Sequence, residues 1–216
     1  YHTFSFANYY DNDRVRFGLL RVLNDDTVQG GEGFGRHPHQ NMEIVSIPLA
    51  GGLQHGDSMG NDGVIRPGQI QVMSAGSGVF HSEFNASSTE PVKFLQIWIF
   101  PDRNGHTPRY NDITLAPEKA NELQLIVAPK EEADENTGWL NQRTWFYLAS
   151  LEKGKNVEHR LHSKDNGVYI FVLEGNVDAM GEKMRPRDGM GVSETASVSI
   201  TAEGPARVLL MEVPME

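Results

Sequence analysis

The sequence predicts an all-β protein made of two small β-barrels in tandem. No stretch of helical length shows the apolar period of about 3.6 residues that marks an amphipathic helix. Glycine accounts for 22 of 216 residues, which is typical of a chain with many turns. The order strand, glycine, strand, turn and then a charged residue, proline and glycine occurs in both halves, roughly 100 residues apart, which indicates a duplicated fold.

The first half contains the most strongly patterned strands. Four stretches predict strands or hairpins: residues 15–28, 42–63, 68–85 and 92–101. We expect the first of them to end in a turn at Asn24-Asp25-Asp26. The last places Phe94, Gln96 and Trp98 on one face, where they would line a pocket or pack in the barrel core.

A weakly patterned segment, residues 102–140, separates the two halves and contains one apolar strand at 123–127. We therefore predict an N-terminal domain over 1–118 and a C-terminal domain over 119–216. In the second domain, strands are expected at 143–151, 167–180, 197–202 and 206–214.

Composition excludes several classes of protein and site. The chain contains no cysteine, so any metal must be held by histidines and carboxylates. A net charge of −10 without a Lys/Arg cluster disfavours nucleic-acid binding. No apolar run approaches the roughly 20 residues that span a bilayer. We expect a cytoplasmic monomer without a membrane partner.

Two pairs of candidate metal ligands lie on predicted strands. Residues i and i+2 of a strand point to one face, about 6.6 Å apart. His37 and His39 form one such pair, and His81 and Glu83 form the other. Neighbouring strands would bring both pairs to one ion at about 2.0–2.1 Å. Such a donor set leaves positions open on a six-coordinate ion for O2 and a substrate oxygen.

Other residues near these pairs allow alternatives. Glu43 has the same parity as His37 and His39, so it is a rival fourth ligand or a group that orients an imidazole. Pro38 donates no hydrogen bond, which places the first pair at the beginning of a strand. His55 and Asp57 share a strand face near the expected pocket, but we interpret them as a hairpin cap and not as site residues.

Two motifs give the sequence a specific resemblance. Gly31, five residues, His37-Pro38-His39, three residues and Glu43 resemble the first cupin motif. The segment from Gly68 to Glu83 resembles the second. Together with "DSMGN", "PGQIQVMSAGSGVFHSE" and "QIWI", they make the chain similar to the pirin family, above all to its bacterial quercetin 2,3-dioxygenase-like members. The resemblance covers nearly the whole chain and is strongest over 2–110.

The resemblance implies a bicupin, with two β-sandwich or jelly-roll barrels and a metal in the N-terminal one. The implied metal ligands are His37, His39, His81 and Glu83. On this assignment Glu43 is a near neighbour of the metal site and not a ligand. The implied cofactor is one divalent transition metal ion, with iron expected and nickel, cobalt, copper, manganese or zinc compatible with the same donors.

The C-terminal barrel lacks that ligand set, so the resemblance implies that its metal site is lost. His159 and His162 have the wrong spacing for one strand face, and we expect both to be surface residues. His2 and His106 are given no role.

The resemblance also implies an activity. Flavonol ring cleavage requires the 3-hydroxyl of the substrate to lose a proton, and Glu83 would be metal ligand and general base together. The partners would then be a flavonol-like aromatic compound, such as quercetin, and O2, with CO as a product. The alternative is a non-enzymatic, metal-dependent regulatory module that binds a protein partner, as eukaryotic pirins are described.

Overall fold

The computed structural model describes residues 1–216 and consists of strands, turns and loops without a helix, which confirms the all-β prediction. No helix long and apolar enough to cross a bilayer is present. The chain forms two compact units. The first comprises Tyr1–Arg16, Leu20–Ala116 and Pro129–Gln142, and the second comprises Phe17–Leu19, Pro117–Ala128 and Arg143–Glu216. The domain bounds 1–118 and 119–216 stay a prediction.

Nineteen strands follow one another along the chain. The first nine are β1 (Leu20–Val28), β2 (Gly33–His39), β3 (Glu43–Ala50), β4 (Leu53–Asp57), β5 (Asp62–Ile65), β6 (Gln69–Ser74), β7 (Val79–Asn85), β8 (Val92–Ile99) and β9 (Arg109–Thr114). The others are β10 (Gln124–Pro129), β11 (Gly138–Leu140), β12 (Trp145–Leu151), β13 (Asn156–Arg160), β14 (Asn166–Glu174), β15 (Val177–Ala179), β16 (Glu182–Met184), β17 (Gly189–Val192), β18 (Ser197–Ala202) and β19 (Ala206–Pro214).

The first unit contains two antiparallel sheets, ordered β1-β8-β3-β6-β9 and β2-β7-β4-β5. Apolar side chains from both sheets form two buried clusters. Along β8, Phe94 belongs to one cluster, Trp98 packs against the other, and the buried Gln96 lies between them. Ser46 on β3 is directly opposite both Gln96 and Gln71, so a polar layer crosses the interior of this barrel.

The second unit repeats this architecture, with sheets containing β10-β12-β19-β14-β17 and β13-β18-β15-β16 around one apolar core. Gly51 and Gly175 occupy equivalent hairpins, and both have positive φ, 76° and 73°. A Cβ would lie 2.9 Å from the Pro91 carbonyl oxygen at Gly51 and 2.1 Å from the Pro205 carbonyl oxygen at Gly175. The same close approach in both hairpins accounts for the glycine that the repeat pattern shares.

Two local predictions in the first unit were wrong. Asn24, Asp25 and Asp26 form no turn, because β1 continues through them and pairs with β8 as far as Val28. His37 and His39 lie at the end of β2 and not at its beginning. Because β2 is an edge strand, it tolerates Pro38 between the two histidines.

Several strands were missed by the sequence analysis, among them β5, β9, β11, β13, β16 and β17. β9 has no buried residue, so its sequence lacks the apolar alternation from which strands are recognised. β11 is too short to show a period, and β13 places only Val157 and His159 in the interior.

Candidate metal centre

Three imidazoles meet where β2 lies beside β7. His37 is directly opposite His81 in the register of these strands, and His39 lies two residues further along β2. The ring centroids are 4.5 Å apart for His37 and His81, and 4.8 Å apart for His39 and either of the others. One nitrogen of each ring therefore lies within 4.8 Å of the other two.

The nitrogen spacing fits a bound ion. Nδ1 of His37 donates a hydrogen bond to the Gly35 carbonyl oxygen at 2.8 Å, which leaves the lone pair on Nε2 in the neutral ring. This Nε2 lies 3.0 Å from Nε2 of His81. Two ligands at right angles on an ion, each bound at about 2.0–2.1 Å, are separated by about 3.0 Å. The residues present thus suit a transition metal ion with more than four coordination positions.

The electrostatics keep two of the imidazoles, those of His39 and His81, neutral. Burial, with the His37 imidazole as a second cause, lowers the pKa of His39 to about 4. Burial followed by the His39 and His37 imidazoles lowers the pKa of His81 to about 2. At neutral pH both rings therefore keep a lone pair available for a metal ion.

Glu83 lies two residues after His81 on the interior face of β7 and is buried. Its Oε2 accepts a hydrogen bond from Nε2 of Gln96 at 2.6 Å, and its Oε1 accepts one from Oγ of Ser46 at 3.2 Å. Burial raises the pKa of Glu83 to about 7, although these hydrogen bonds oppose the shift. The carboxylate is grouped with His55 and His81, and not with His37 and His39.

His55 is a neighbour of Glu83 that the sequence analysis interpreted only as part of a hairpin cap. It is buried, its Nε2 lies 3.1 Å from Oδ2 of Asp57, and its ring stacks on Tyr110 at 4.3 Å. In the register of β4 and β7, His55 is opposite Glu83, and Asp57 is opposite His81. Directly opposite residues share a sheet face, so pairing the two strands in the sequence would have placed His55 beside Glu83.

A cavity of about 460 Å³ opens beside the imidazoles and Glu83. Its apolar wall includes Phe6, Phe34 and Trp98. Trp98 therefore lines the cavity, as one of the two interpretations of its strand predicted, while Phe94 packs in the core.

The polar wall of the cavity comes from β1 and β8. It includes Asn24, Asp26 and Gln96. The side chain of Asn24 is bonded to His2, with 2.9 Å between Oδ1 and Nδ1. The Asp26 carboxylate makes no hydrogen bond or ion pair, and burial raises its pKa. An unpaired carboxylate beside a cavity is free to bind a ligand.

Glu43 lies apart from the imidazoles. Its fully buried carboxylate accepts hydrogen bonds from Oγ of Ser74 at 2.7 Å and from the backbone and side-chain nitrogens of Asn141 at 3.0 and 3.2 Å. It belongs to none of the groups of adjacent ligand atoms. Strand parity alone suggested otherwise, but β2 and β3 lie in different sheets.

Both His159 and His162 were expected to be surface residues. This was wrong for His159 and right for His162. His159 is 5% exposed because it lies on the interior face of β13, whereas His162 follows the strand and is exposed.

Comparisons with known proteins agree with this architecture. Residues 1–99 match the family described as Pirin, and residues 125–213 match the quercetinase C-terminal cupin domain. A quercetin 2,3-dioxygenase of Escherichia coli K12 is 41% identical over 99% of this chain and 90% of its own length. Other bacterial relatives carry that name provisionally.

Solved structures extend the comparison. The E. coli pirin YhhW in complex with nickel(II) superposes with a TM-score of 0.92 at 40% identity, covering 99% of this chain and 90% of YhhW. A quercetin 2,3-dioxygenase of Acinetobacter baumannii, 22% identical, has a TM-score of 0.80 over 95% of this chain and 72% of its own, which shows the shared fold.

Proposed function

Because this chain belongs to the pirin family of bicupin proteins, we propose that it is a metal-dependent dioxygenase that opens the ring of flavonols such as quercetin and releases CO. The observation that carries the proposal is a group of three imidazoles beside an aromatic-lined cavity of about 460 Å³, with the buried Glu83 carboxylate within 4.8 Å of one of them, His81. Such an apolar cavity with a few polar groups is the usual form of a small-molecule site.

We assign His37, His39, His81 and Glu83 as the ligands of one divalent ion. Support comes from the 3.0 Å spacing of the His37 and His81 nitrogens and from the nickel complex of the related YhhW. Iron, the metal expected from the sequence, stays a prediction. An ion bound at these residues would supply Lewis acidity toward a substrate oxygen.

Glu83 is assigned a second role as the base that accepts the proton of the flavonol 3-hydroxyl. Gln96 and Ser46 donate hydrogen bonds to its two oxygens and so fix the plane of the carboxylate. Oγ of Ser46 also lies 3.0 Å from Oε1 of Gln96, so its single hydroxyl proton is shared between the Glu83 and Gln96 oxygens. A base held in this way meets the geometric requirement for proton transfer within hydrogen-bond reach.

The reaction balances without a further reductant. The 3-hydroxyl of the flavonol loses its proton to Glu83, and both atoms of O2 are incorporated as the ring opens. The carbon that carried the hydroxyl leaves with its oxygen as CO, and the proton returns to the ring-opened acid. The role of the cavity is to hold the flat ring system against Trp98 and Phe6, whose rings meet edge to face at 5.3 Å, and to limit water around the reacting carbons.

Asp26 is expected to recognise substrate hydroxyls remote from the metal. We predict that Asp26→Asn lowers kcat/KM for quercetin about 10- to 100-fold, because a hydrogen bond to a charged group contributes about 1.5–3 kcal/mol. For a flavonol without the remote hydroxyls, the same substitution should lower kcat/KM only slightly. The matched control is Asp25→Asn, which makes the same change on the neighbouring residue, outside the cavity lining. Equal losses for both flavonols would contradict this role.

Glu43 and Glu83 provide a direct comparison of two buried carboxylates. We predict that Glu43→Gln keeps the metal content of the wild type, because Glu43 bonds to Ser74 and Asn141 and not to an imidazole. Glu83→Gln should weaken metal binding. Metal analysis of both purified variants checks this. Metal loss in the Glu43 variant with retention in the Glu83 variant would reverse the assignment.

The proposed activity is tested by measuring quercetin and O2 together. Protein loaded with nickel or iron should consume them in equal amounts, and chelation should stop the consumption. Consumption that is independent of metal would refute the proposal. A monomeric state, a cytoplasmic location and the absence of nucleic-acid and membrane partners stay predictions.

A further inference from the structure

A second set of potential metal ligands lies in the second unit. His159 is on β13, His162 follows the end of that strand, and Glu212 is on β19. One ligand atom from each lies within 4.8 Å of the other two. The spacing of the two histidines does not suit a strand face, but β13 ends at Arg160 and the chain then turns, which brings His162 back to the same carboxylate.

The hydrogen bonds fix this carboxylate in one orientation. Oε1 of Glu212 accepts from the backbone nitrogen of His162 at 2.8 Å and from Nδ2 of Asn166 at 2.6 Å. Oε2 lies 2.7 Å from Nε2 of His159 and 2.8 Å from Nδ1 of His162. One oxygen is therefore held by an amide and the backbone, while the other faces two imidazoles.

The charge of this carboxylate has no Lys or Arg partner. Glu212 is fully buried, and its only ion-pair partners are the two histidines. A buried carboxylate is costly unless a cation compensates it. Apart from these two imidazoles, no basic side chain balances the carboxylate, and the net charge of the protein is already −10. This is a site that a cation would stabilise.

We propose that His159, His162 and Glu212 form a second divalent-cation site. Two histidines and one carboxylate are a common ligand set for zinc and for iron(II). Ligands at right angles need a separation of about 3.0 Å, so the present N···O distances of 2.7 and 2.8 Å must open by only a few tenths of an ångström.

The ring nitrogens that face Oε2 of Glu212 donate to it in this structure, so they can bind an ion only when each ring carries its proton on the opposite nitrogen. The His162 side chain is 30% exposed, which gives the ion a path to solvent and a water ligand. Its ring is held flat against Trp145, with centroids 3.9 Å apart. This site is independent of the proposed dioxygenase activity.

The test uses the full chain with the first centre removed by His37→Ala, His39→Ala and His81→Ala, titrated with Co²⁺ by calorimetry and visible absorption. We expect one equivalent to bind in this background. Adding Glu212→Gln or His162→Gln should weaken that binding at least about 100-fold. The matched control is His106→Gln, which changes a histidine whose Nε2 lies 2.5 Å from Asp102 at the surface of the first unit.

Two outcomes would overturn the proposal. No cobalt binding in the background protein would mean that the cluster is a hydrogen-bond network only. Binding that persists in both added variants would place the ion elsewhere. If Glu212→Gln does not fold, His162→Gln decides the question, because His162 is exposed and its replacement leaves the core intact. The readout is metal stoichiometry and not turnover, so failure of the dioxygenase proposal would not affect it.

Discussion

His81→Ala is expected to give a folded protein whose first unit contains almost no metal and which has no measurable dioxygenase activity. His81 lies at the middle of the proposed centre, 3.0 Å from the His37 nitrogen and with its ring 4.8 Å from that of His39. Removing a ligand should weaken metal binding at least about 100-fold, since losing a group that only supports a ligand already costs 10- to 100-fold. Metal analysis of purified protein, followed by a turnover assay, checks both effects.

The barrel should survive this change. The apolar clusters of the first unit contain neither His81 nor Glu83, so their packing is retained. His106→Ala is the matched control, because His106 pairs with Asp102 away from the cavity lining. A His81→Ala protein that keeps a full equivalent of metal in the first unit would show that the ligand assignment is wrong.

Glu83→Gln is expected to keep part of the metal but to lower turnover by about 10²- to 10⁴-fold, the usual contribution of a general base. The amide oxygen remains a weak ligand and occupies the same volume, but it no longer accepts the proton of the substrate. Gln96 and Ser46 can still donate to one side of the new amide, so its position should change little. Turnover per bound metal ion is the quantity to measure.

Glu83→Asp provides the companion experiment. It keeps a carboxylate but shortens the side chain and weakens the hydrogen bond from Gln96. We expect activity between that of the wild type and that of Glu83→Gln. If the Gln variant turns over substrate at the wild-type rate per metal ion, Glu83 is not the base.

Much of the fold was predictable because alternation and turn residues are local properties of the sequence. The hairpin around Gly51 and its counterpart around Gly175 carry the same glycine for the same steric reason, and this revealed the duplication. Strand β9 was not predicted because it has no buried face. The segment Asn24-Asp25-Asp26 resembled a turn because it is polar, and the polar side chains of Asn24 and Asp26 face a cavity, which no local pattern records.

The candidate ligands were predictable for a similar reason. His37, His39, His81 and Glu83 follow the two-residue period of a strand. His55 and Glu212 were overlooked because their importance depends on which strands pair. His55 meets Glu83 only through the pairing of β4 with β7. Glu212 meets His159 and His162 across about 50 residues of chain, a separation over which sequence periodicity says nothing.

The most direct test of the central claim is the release of CO from quercetin in air by protein loaded separately with nickel and with iron. We predict CO in proportion to the quercetin consumed with at least one of these metals, and none from the His81→Ala protein. A fully loaded wild-type protein that releases no CO and leaves quercetin intact would contradict the dioxygenase assignment and favour a metal-dependent regulatory role.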